Sequence, residues 1–242
     1  MMKNISVAMA VYNGETYIKI QLDSILKQLE TEDELVISYD KSSDNTLSII
    51  KEYEEKYPQV KVVINKTPGL FENFENAIRN CSKDYIFISD QDDIWSEKKR
   101  SEVLKTFEQT NADMVIHNGV HIDKDGKTIS KDFFTEFNIT SNIFRNFAKP
   151  RYSGCCIAFK KRFANIIVPI PSEIGAYDHW IGMTGQLFGK VVFLRKVLLY
   201  HRIHGDNYTT PTRKLNVVLK VRFALAIELI KRRKFISKRK GR

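Results

Sequence analysis

Short apolar runs, separated by helix-like stretches, organise the first hundred residues of the chain. Four runs rich in β-branched and aromatic residues begin near Ile5, Glu34, Val60 and Asp84. Stretches with apolar residues at helical spacing lie between or after them, over residues 17–29, 46–57 and 71–81. Because the runs are apolar on both faces and alternate with helices, the pattern predicts an α/β fold whose parallel, Rossmann-like sheet is covered on both sides.

The second half of the chain follows a different rhythm. Residues 97–110 predict one more helix. Residues 114–117 and 120–122 predict strands, and a hairpin turn follows at Asp123. Residues 131–150 show no clear period, so we expect irregular structure or short helices there. The remaining pattern predicts a strand over residues 153–159, a helix over residues 178–188, and one bent strand or two short strands over residues 191–200.

Composition and charge separate a neutral body from a basic end. The 242 residues suit one large domain or a domain with an appendage, and 43% apolar residues exclude a wholly disordered chain. Residues 213–242 hold 12 Lys/Arg and one acid, whereas the rest of the chain holds 27 basic and 28 acidic residues. The neutral body argues against a nucleic-acid groove across the fold. The basic end suits a surface of anionic lipid or, more weakly, nucleic acid.

The basic end also has a helical pattern. On a helix over residues 213–234, most apolar positions lie away from a polar sector. The apolar positions are Leu215, Leu219, Phe223, Ile227 and Ile230, and the polar sector holds Arg213, Asn216, Lys220, Glu228, Lys231 and Lys234. This pattern favours an interfacial helix on anionic lipid. Two alternatives are a helix packed on the core with a solvated charged end, and a dimer contact.

No segment predicts a signal peptide or a membrane-spanning helix. The apolar run Ile5–Val11 is too short, and the apolar residues 217–230 are interrupted by three charges. The three cysteines, Cys81, Cys155 and Cys156, form neither an even disulfide framework nor a metal-binding spacing. We therefore expect reduced thiols in a cytoplasmic protein, with the last two packed in a strand.

Polar residues follow each of the four predicted strands, where open parallel sheets bind their ligands. These positions are Tyr12-Asn13-Gly14, Asp40, Thr67-Pro68-Gly69 and Asp90-Gln91-Asp92-Asp93. In the fourth, three carboxylates within four residues repel one another unless a cation or hydrogen-bond donors offset them. Hard divalent cations prefer such oxygen ligands. The alternative is a turn whose acids cap the next helix, with Ser96 as the nearest cap.

Four segments, each built on a predicted strand or the helix after it, carry a family resemblance. They read ISVAMAVYNGETYIKIQLDSIL, ISYDKSSDNT, GLFENFENAI and DYIFISDQDDIW. In this order and spacing they resemble family 2 glycosyltransferases of the GT-A fold, and especially rhamnosyltransferase-like members that build bacterial polysaccharides. The resemblance is strong over residues 4–100 and looser to about residue 208, through SGCCIAFKK, YDHW and YHRIHGDN.

The resemblance implies a fold and a division of the chain. We expect a mostly parallel central sheet with helices on both faces, followed by a basic amphipathic C-terminal helix. Residues 1–212 would form the GT-A domain, with a nucleotide-binding half over residues 1–100 and an acceptor half over residues 101–212. Residues 213–242 would form the tail.

The resemblance also implies a donor site at the strand ends, with Asp90 near the ribose of a nucleotide-sugar. The residues expected to contact the donor nucleotide are Ala10, Val11, Tyr12, Asp40, Asn73, Asp90 and Gln91. Asp92 is expected to hold Mg²⁺ or Mn²⁺, because a cation stabilises the negative charge of the departing diphosphate. Many relatives carry DDGS where this chain has YDKS at residues 39–42, which leaves the donor identity open. Asn73 alternatively caps its helix.

Two histidines lie three residues apart near the end of the resemblance. Relatives carry a histidine close to the metal, which implies a metal-binding role for His204. In an extended segment His201 and His204 would point to opposite faces, so we expect at most one of them to reach the site. The alternative for His204 is a solvated loop position.

The resemblance implies that Asp178, in AYDHWIG, is the general base that takes a proton from the acceptor. Its neighbours Tyr177 and Trp180 would desolvate the carboxylate and raise its pKa. The alternative is that Asp178 only caps its helix. We further expect Trp95, Gly154 and Trp180 to contact the sugar or the acceptor, with core packing as the alternative for both tryptophans.

Together these expectations describe an inverting, metal-dependent glycosyltransferase. It would move a sugar from a nucleotide-sugar to a hydroxyl of a glycan or lipid-linked acceptor, in bacterial surface polysaccharide synthesis at the inner face of the cell membrane, with no nucleic acid as a partner. One alternative is a nucleotidyltransferase, which would show a Gly-rich basic loop where this chain has VYNGETY. Another is a non-enzymatic membrane-binding or nucleic-acid-binding module. For that module, deletion of residues 213–242 would abolish all function, whereas a glycosyltransferase would keep donor hydrolysis.

Overall fold

The computed structural model describes residues 3–204 and 214–240. Arg213 of the predicted tail and residues 205–207 of the YHRIHGDN segment lie outside the described residues. Nine strands within the described ranges form one mixed sheet. They are β1 (Ile5–Val11), β2 (Glu34–Tyr39), β3 (Val60–Ile64), β4 (Tyr85–Ser89), β5 (Ile94–Trp95), β6 (Met114–Ile122), β7 (Thr128–Asp132), β8 (Ile157–Lys160) and β9 (Val191–Arg202).

Helices cover both faces of this sheet. Those of the described residues are α1 (Ile18–Leu26), α2 (Thr46–Lys56), α3 (Leu70–Asn80), α4 (Lys99–Thr110), α5 (Phe133–Glu136), α6 (Ile143–Ala148), α7 (Lys161–Ile167), α8 (Tyr177–Phe188) and α9 (Leu215–Lys240). Along β1, Val7 and Met9 belong to the core that includes α1, whereas Ala8 and Ala10 belong to the core that includes α3 and α8. This alternation confirms a central sheet that is buried on both faces.

The order of the strands creates a crevice at one edge of the sheet. The order is β3-β2-β1-β4-β8-β6-β9-β5, and β7 pairs with β6 beside this path. The first four strands are parallel, whereas β8 runs antiparallel to both β4 and β6. The chain leaves β1 towards β2 and β3 on one side and returns to β4 on the other. Such a reversal opens a crevice at the carboxyl ends of β1 and β4, where open α/β sheets bind ligands.

Two predicted strands differ in the structure. The residues predicted as two strands within 114–122 form the single strand β6, because a register shift against β9 absorbs the break. The run predicted as a strand over 153–159 begins with a 3₁₀ turn at Gly154–Cys156 and becomes extended only in β8. The turn carries Gly154 beneath the side chain of Tyr177. The short elements β5 and α7 are additions to the predicted pattern.

The C-terminal helix α9 has two apolar faces. Leu225 and Leu229 are buried in the core that contains Trp180. The exposed apolar residues of the helix are Leu215, Val217, Leu219, Phe223, Ile230 and Phe235. Three of them, at positions 215, 219 and 223, recur every four residues and form what we call the apolar strip. The helix therefore packs on the domain, which was one of the alternatives that the sequence left open. It still presents a second apolar face to solvent.

Candidate functional site

The carboxyl ends of β1 and β4 are joined by one side chain. Gln91 donates from Nε2 to the Tyr12 carbonyl at 2.8 Å, and its Oε1 accepts from the Tyr12 N–H at 2.9 Å. Asn73 on α3 donates to the Val11 carbonyl at 3.1 Å. Ala10 and Val11 are buried, whereas Tyr12 is 57% exposed. The strand ends thus form a fixed rim with one open aromatic ring, a suitable surface for a flat base.

Asp40 holds the next part of this rim. Its buried carboxylate accepts a hydrogen bond from Asn65 Nδ2 at 2.7 Å and another from the Gly69 N–H at 3.0 Å. These bonds tie the end of β2 to the loop that follows β3. The contact between Asp40 and a nucleobase, which the resemblance implies, stays a prediction.

Asp90 links the acidic run of residues 90–93 to helix α8. Its Oδ1 accepts a hydrogen bond from the Tyr177 hydroxyl at 3.1 Å. The Tyr177 ring stacks on Phe74 of α3, with ring centroids 4.1 Å apart. Burial, together with the nearby charges of Asp93 and Asp92, raises the pKa of Asp90 well above its ordinary value. Carboxylates this close and this poorly hydrated favour a cation among them.

Both histidines reach the acidic run, although the sequence predicted that at most one would. His204 Nε2 lies 2.8 Å from Asp92 Oδ2, and His201 Nδ1 lies 2.8 Å from Asp93 Oδ1. Strand β9 ends at Arg202, so the chain leaves extended geometry before it reaches His204. The alternation of side chains along a strand therefore does not apply to this pair.

Asp93 and His201 form a buried ion pair. Although burial favours the neutral ring, the charge of Asp93 raises the pKa of His201 to about 10. Burial also opposes ionisation of Asp93, but the charge of His201 holds the pKa of that carboxyl below its ordinary value. Of the two histidines, His204 is the one that lies beside Asp92, so it suits a metal held by that carboxylate.

The donor atoms around the acidic run fit a divalent cation. Asp92 offers carboxylate oxygens and His204 an imidazole nitrogen, and both side chains are mostly buried. Mn²⁺ accepts both kinds of ligand, and Mg²⁺ prefers the oxygens. Asp93 Oδ2 is buried and has no hydrogen-bond partner in the described structure. Four further ligand atoms lie within 4.8 Å of one another, on Asp90, Asp93, Cys155 and His201.

A fully buried lysine lies close to the acidic run, and the sequence reasoning missed it. Lys99 donates from Nζ to the Cys155 carbonyl at 2.8 Å, and its ammonium lies 4.2 Å from the centroid of the Trp95 ring. Burial lowers the pKa of Lys99 to about 8. A signal existed, because Lys99 shares the helical spacing of Val103 and Phe107, the buried positions of α4.

Asp178 lies half-buried in the first turn of α8. Its Oδ1 accepts a hydrogen bond from the His179 N–H at 2.6 Å. Burial raises the pKa of Asp178 to about 6, and the bond from His179 limits the rise. The residue at the N-cap of α8 is Ala176, so Asp178 does not occupy the cap position. The preceding residue, Tyr177, bonds to the acidic run, so the candidate base lies one residue along α8 from a side chain that contacts the candidate donor site.

The three predicted sugar or acceptor contacts, Trp95, Gly154 and Trp180, are packed inside the domain. Trp95 is 3% exposed, and Trp180 is fully buried with its indole N–H donating to the Ile167 carbonyl at 2.7 Å. A Cβ at position 154 would collide with the Tyr177 side chain, which explains the glycine without a substrate. Neither indole ring offers an open face to a sugar, which supports core packing, the alternative for both tryptophans. A contact between Gly154 and a sugar or acceptor stays a prediction.

Comparison with known proteins defines the class of this fold and site. The model of Glycosyl transferase family 2 matches residues 6–166, and the chain belongs to this family. It is 38% identical to dTDP-rhamnosyl transferase RfbG of Shigella flexneri over 116 residues, which are 46% of this chain and 40% of that protein. The predicted family is thereby confirmed.

Two solved structures share the fold. TarS residues 1–349 of S. aureus, in complex with UDP-GlcNAc, match with a TM-score of 0.74 at 20% identity, over 94% of this chain and 66% of that one. The mannosyltransferase PcManGT of Pyrobaculum calidifontis, in complex with GDP-Man and Mn²⁺, matches with a TM-score of 0.61 at 18% identity, over 86% of this chain and 59% of that one. These matches confirm the predicted GT-A fold. In each of these pairs the chain spans less than two thirds of its relative.

Proposed function

We propose that the protein transfers a sugar from a nucleotide-sugar to an acceptor hydroxyl, with inversion at the anomeric carbon. The observation that carries the proposal is the hydrogen bond between Tyr177, the neighbour of Asp178, and Asp90 of the acidic run. This bond supports the proposal because it joins the helix of the candidate base to the strand end of the candidate donor site. A base for the acceptor hydroxyl and a cation for the departing diphosphate are what an inverting, metal-assisted transfer requires.

The donor side of the proposal uses the rim and the acidic run. Tyr12 stacks on the nucleobase, Asp90 binds the ribose, and Asp92 with His204 holds Mg²⁺ or Mn²⁺. When bound, the cation supplies positive charge to the departing diphosphate. The other donor-site candidates are Ala10, Val11, Asp40, Asn73 and Gln91. The hydrogen bonds of Val11, Asp40, Asn73 and Gln91 support a role in holding the rim in shape.

Asp178 is the base in this mechanism. Its carboxylate takes the proton of the acceptor hydroxyl, the acceptor oxygen attacks the anomeric carbon, and the bond from that carbon to the diphosphate breaks. One displacement inverts the anomeric centre. Because burial raises its pKa to about 6, Asp178 is a stronger base than an exposed aspartate and is still mostly ionised at pH 7.

The relatives support a nucleoside diphosphate sugar as the donor. One is a dTDP-rhamnosyl transferase, and the other two are solved in complex with UDP-GlcNAc and with GDP-Man and Mn²⁺. We therefore propose a hexosyl or deoxyhexosyl donor and a hydroxyl of a glycan or lipid-linked acceptor. The place of this reaction would be bacterial surface polysaccharide synthesis at the inner face of the cell membrane.

A peripheral contact between α9 and an anionic membrane is the second part of the proposal. No helix among residues 3–204 and 214–240 is long and apolar enough to cross a membrane. The apolar strip is open to solvent, and exposed basic side chains belong to the same helix at Lys220, Lys231, Arg233, Lys234 and Lys238. Charge complementarity favours anionic lipid as the binding partner of this face. Each basic residue near the surface would contribute about 1 kcal/mol to the free energy of membrane binding. A second copy of the chain would bring two basic surfaces together, which charge repulsion opposes.

The function is tested with UDP-GlcNAc, dTDP-rhamnose and GDP-mannose, each with and without Mn²⁺. We expect one of them to raise the unfolding temperature in the presence of Mn²⁺ and to release its nucleoside diphosphate. Asp92→Ala should lose the Mn²⁺-dependent binding. Asp178→Asn should keep donor binding but lower turnover by about 10³-fold, the range of a missing general base.

Asp125→Asn, in the exposed turn before β7, is the matched control and should match the wild-type protein. Full turnover in Asp178→Asn, or no binding of any nucleotide-sugar, would contradict the proposal. Turnover of nucleoside triphosphates in their place would favour the nucleotidyltransferase.

A further inference from the structure

The residues on either side of Asp178 each contact a different part of the molecule. Tyr177 bonds to Asp90 at the end of β4. His179 Nε2 lies 2.8 Å from the Asn146 carbonyl on α6, and Trp180 donates to the carbonyl that ends α7. The first turn of α8 is therefore held from three sides. Arginines of α9 also contact two of these residues, His179 and Trp180.

Arg232 of α9 packs against the first turn of α8 through Trp180. Arg232 is 8% exposed, and its guanidinium donates to the Val168 carbonyl and to the Pro169 carbonyl, each at 2.7 Å. The same group lies over the Trp180 ring, 5.1 Å from its centroid. A buried guanidinium with two hydrogen bonds and an aromatic face has little freedom. Trp180 cannot shift without disturbing Arg232.

Arg222 contacts the residue next to Asp178. It donates from Nε to the Ala148 carbonyl at 3.1 Å, and its Nη1 lies 3.4 Å from His179 Nδ1. Burial, followed by the charge of Arg222, lowers the pKa of His179 to about 4. The ring is therefore neutral, and its two partners assign the proton to Nε2, which donates to the Asn146 carbonyl. Arg222 thus contributes, together with burial and the Asn146 carbonyl, to the charge and the orientation of His179.

We propose that α9 is a positioning element of the active site, in which Arg222 and Arg232 set the orientation of the turn that carries Asp178. The inference rests on the proposed role of Asp178 as the base. It assigns to the C-terminal helix a role in the reaction itself, separate from contact with lipid. A displacement of a reacting group by about 1 Å lowers turnover by up to about 10²-fold, so small shifts of this turn matter.

The test compares Arg222→Met and Arg232→Met with Arg162→Met, which changes an exposed arginine of α7 in the same way. The substrate is whichever of UDP-GlcNAc, dTDP-rhamnose and GDP-mannose the wild-type protein turns over with Mn²⁺. We expect kcat to fall about 10-fold in both α9 variants while KM and Mn²⁺-dependent donor binding stay unchanged. The control should keep the wild-type kcat.

Two further measurements separate positioning from a general loss of stability. Arg222→Lys keeps a cation beside His179 and should recover part of the lost kcat, and Arg232→Lys serves the same purpose if Arg232→Met fails to fold. Titration of His179 by nuclear magnetic resonance should give a higher pKa in Arg222→Met than in the wild-type protein. Folded α9 variants with wild-type kcat would overturn the inference, and so would an equal loss in the Arg162→Met control.

The outcomes also separate this inference from the proposed function. If Asp178→Asn loses turnover and the α9 variants keep it, the positioning role fails and the function stands. If Asp178→Asn keeps full turnover, the proposed function itself fails.

Discussion

The raised pKa of Asp178 makes it a better base in the proposed reaction and lowers the stability of the fold when the side chain is ionised. Its pKa is raised to about 6 in the folded chain, whereas an exposed aspartate in the unfolded chain titrates near 3.9. The folded state therefore binds the proton more tightly than the unfolded state does. This preference adds stability below about pH 4, and it is lost as the pH rises through about 6. At neutral pH the ionised base is a cost to the fold.

We predict that Asp178→Asn stabilises the protein at neutral pH, because asparagine cannot ionise. A pKa difference of about 2 between the folded and the unfolded chain corresponds to about 3 kcal/mol, and solvent screening of the half-buried carboxylate reduces the expected gain in unfolding free energy to about 1 to 2 kcal/mol at pH 7.5. The gain should be close to zero at pH 4. Urea unfolding at the two pH values measures it, with Asp125→Asn as the control. A gain that does not change with pH would show that the asparagine acts through packing.

Individual site residues differ in how far the sequence reveals them. Asp92 follows the strand β4, and Asp178 lies in the first turn of the helix α8. Local pattern and family resemblance therefore point to both residues. The pairing of Asp93 with His201 joins residues 108 positions apart. It depends on the register of β9, which no local pattern specifies. Tertiary contacts between distant strands therefore set the charges that the sequence leaves open.

At the scale of the element, α9 combines two packing roles in one helix. One face is buried against the domain, and the face that carries the apolar strip is open. The sequence predicted the helix with one apolar face, at positions 215, 219, 223, 227 and 230, and favoured lipid contact over packing on the core. Periodicity cannot choose between two apolar faces, because it reports spacing and not contact.

We predict that the two faces of α9 contribute unequally to stability. Leu225→Ala removes a fully buried side chain and should lower the unfolding free energy by about 2 to 4 kcal/mol. Leu219→Ala makes the same change on the open face and should lower it by less than about 0.5 kcal/mol. Equal losses in urea unfolding would mean that the strip is buried in solution.

The buried face of α9 also changes the expected result of truncation. The sequence predicted that a chain without residues 213–242 keeps donor hydrolysis. In the structure that deletion uncovers Trp180 and removes Leu225 and Leu229 from the core. Point substitutions on the open face are therefore the sharper probe of membrane contact.

At the scale of the whole molecule, charge is separated between a nearly neutral body and a basic helix. The chain carries a net charge of +10, and residues 213–242 account for slightly more than all of it. Surface charges act over a Debye length of about 8 Å at physiological salt. A membrane contact made by this helix must therefore weaken as salt is added.

We predict that the protein binds vesicles of phosphatidylcholine and phosphatidylglycerol and does not bind vesicles of phosphatidylcholine alone. Binding should fall at least several-fold between about 0.05 and 0.5 M salt, because added ions shorten the Debye length about threefold and screen the basic side chains. Phe223→Ser, on the apolar strip, should weaken binding without a change in donor binding. Co-sedimentation measures both effects.

Equal binding to both vesicle types, or none, would contradict the membrane contact. A dimer that forms through the strip, detected by light scattering and lost in Phe223→Ser, would support the dimer alternative instead.

The fold as a whole divides into a part that the sequence predicts and a part that it does not. The parallel order of β1 to β4 follows from strands and helices that alternate at short range. The second half mixes parallel and antiparallel pairs, and β5 joins the sheet through only two residues. Such pairings depend on contacts between segments far apart in the chain.

Lys99 has a consequence for the protein between rounds of reaction. Its ammonium lies buried within the domain, close to the acidic run, and hydrogen-bonds to the main chain. In the proposed reaction, this internal counter-charge would remain when a nucleoside diphosphate and its cation depart together. It would offset part of the repulsion among the carboxylates, so that the emptied crevice would keep its shape and receive the next donor with little reorganisation.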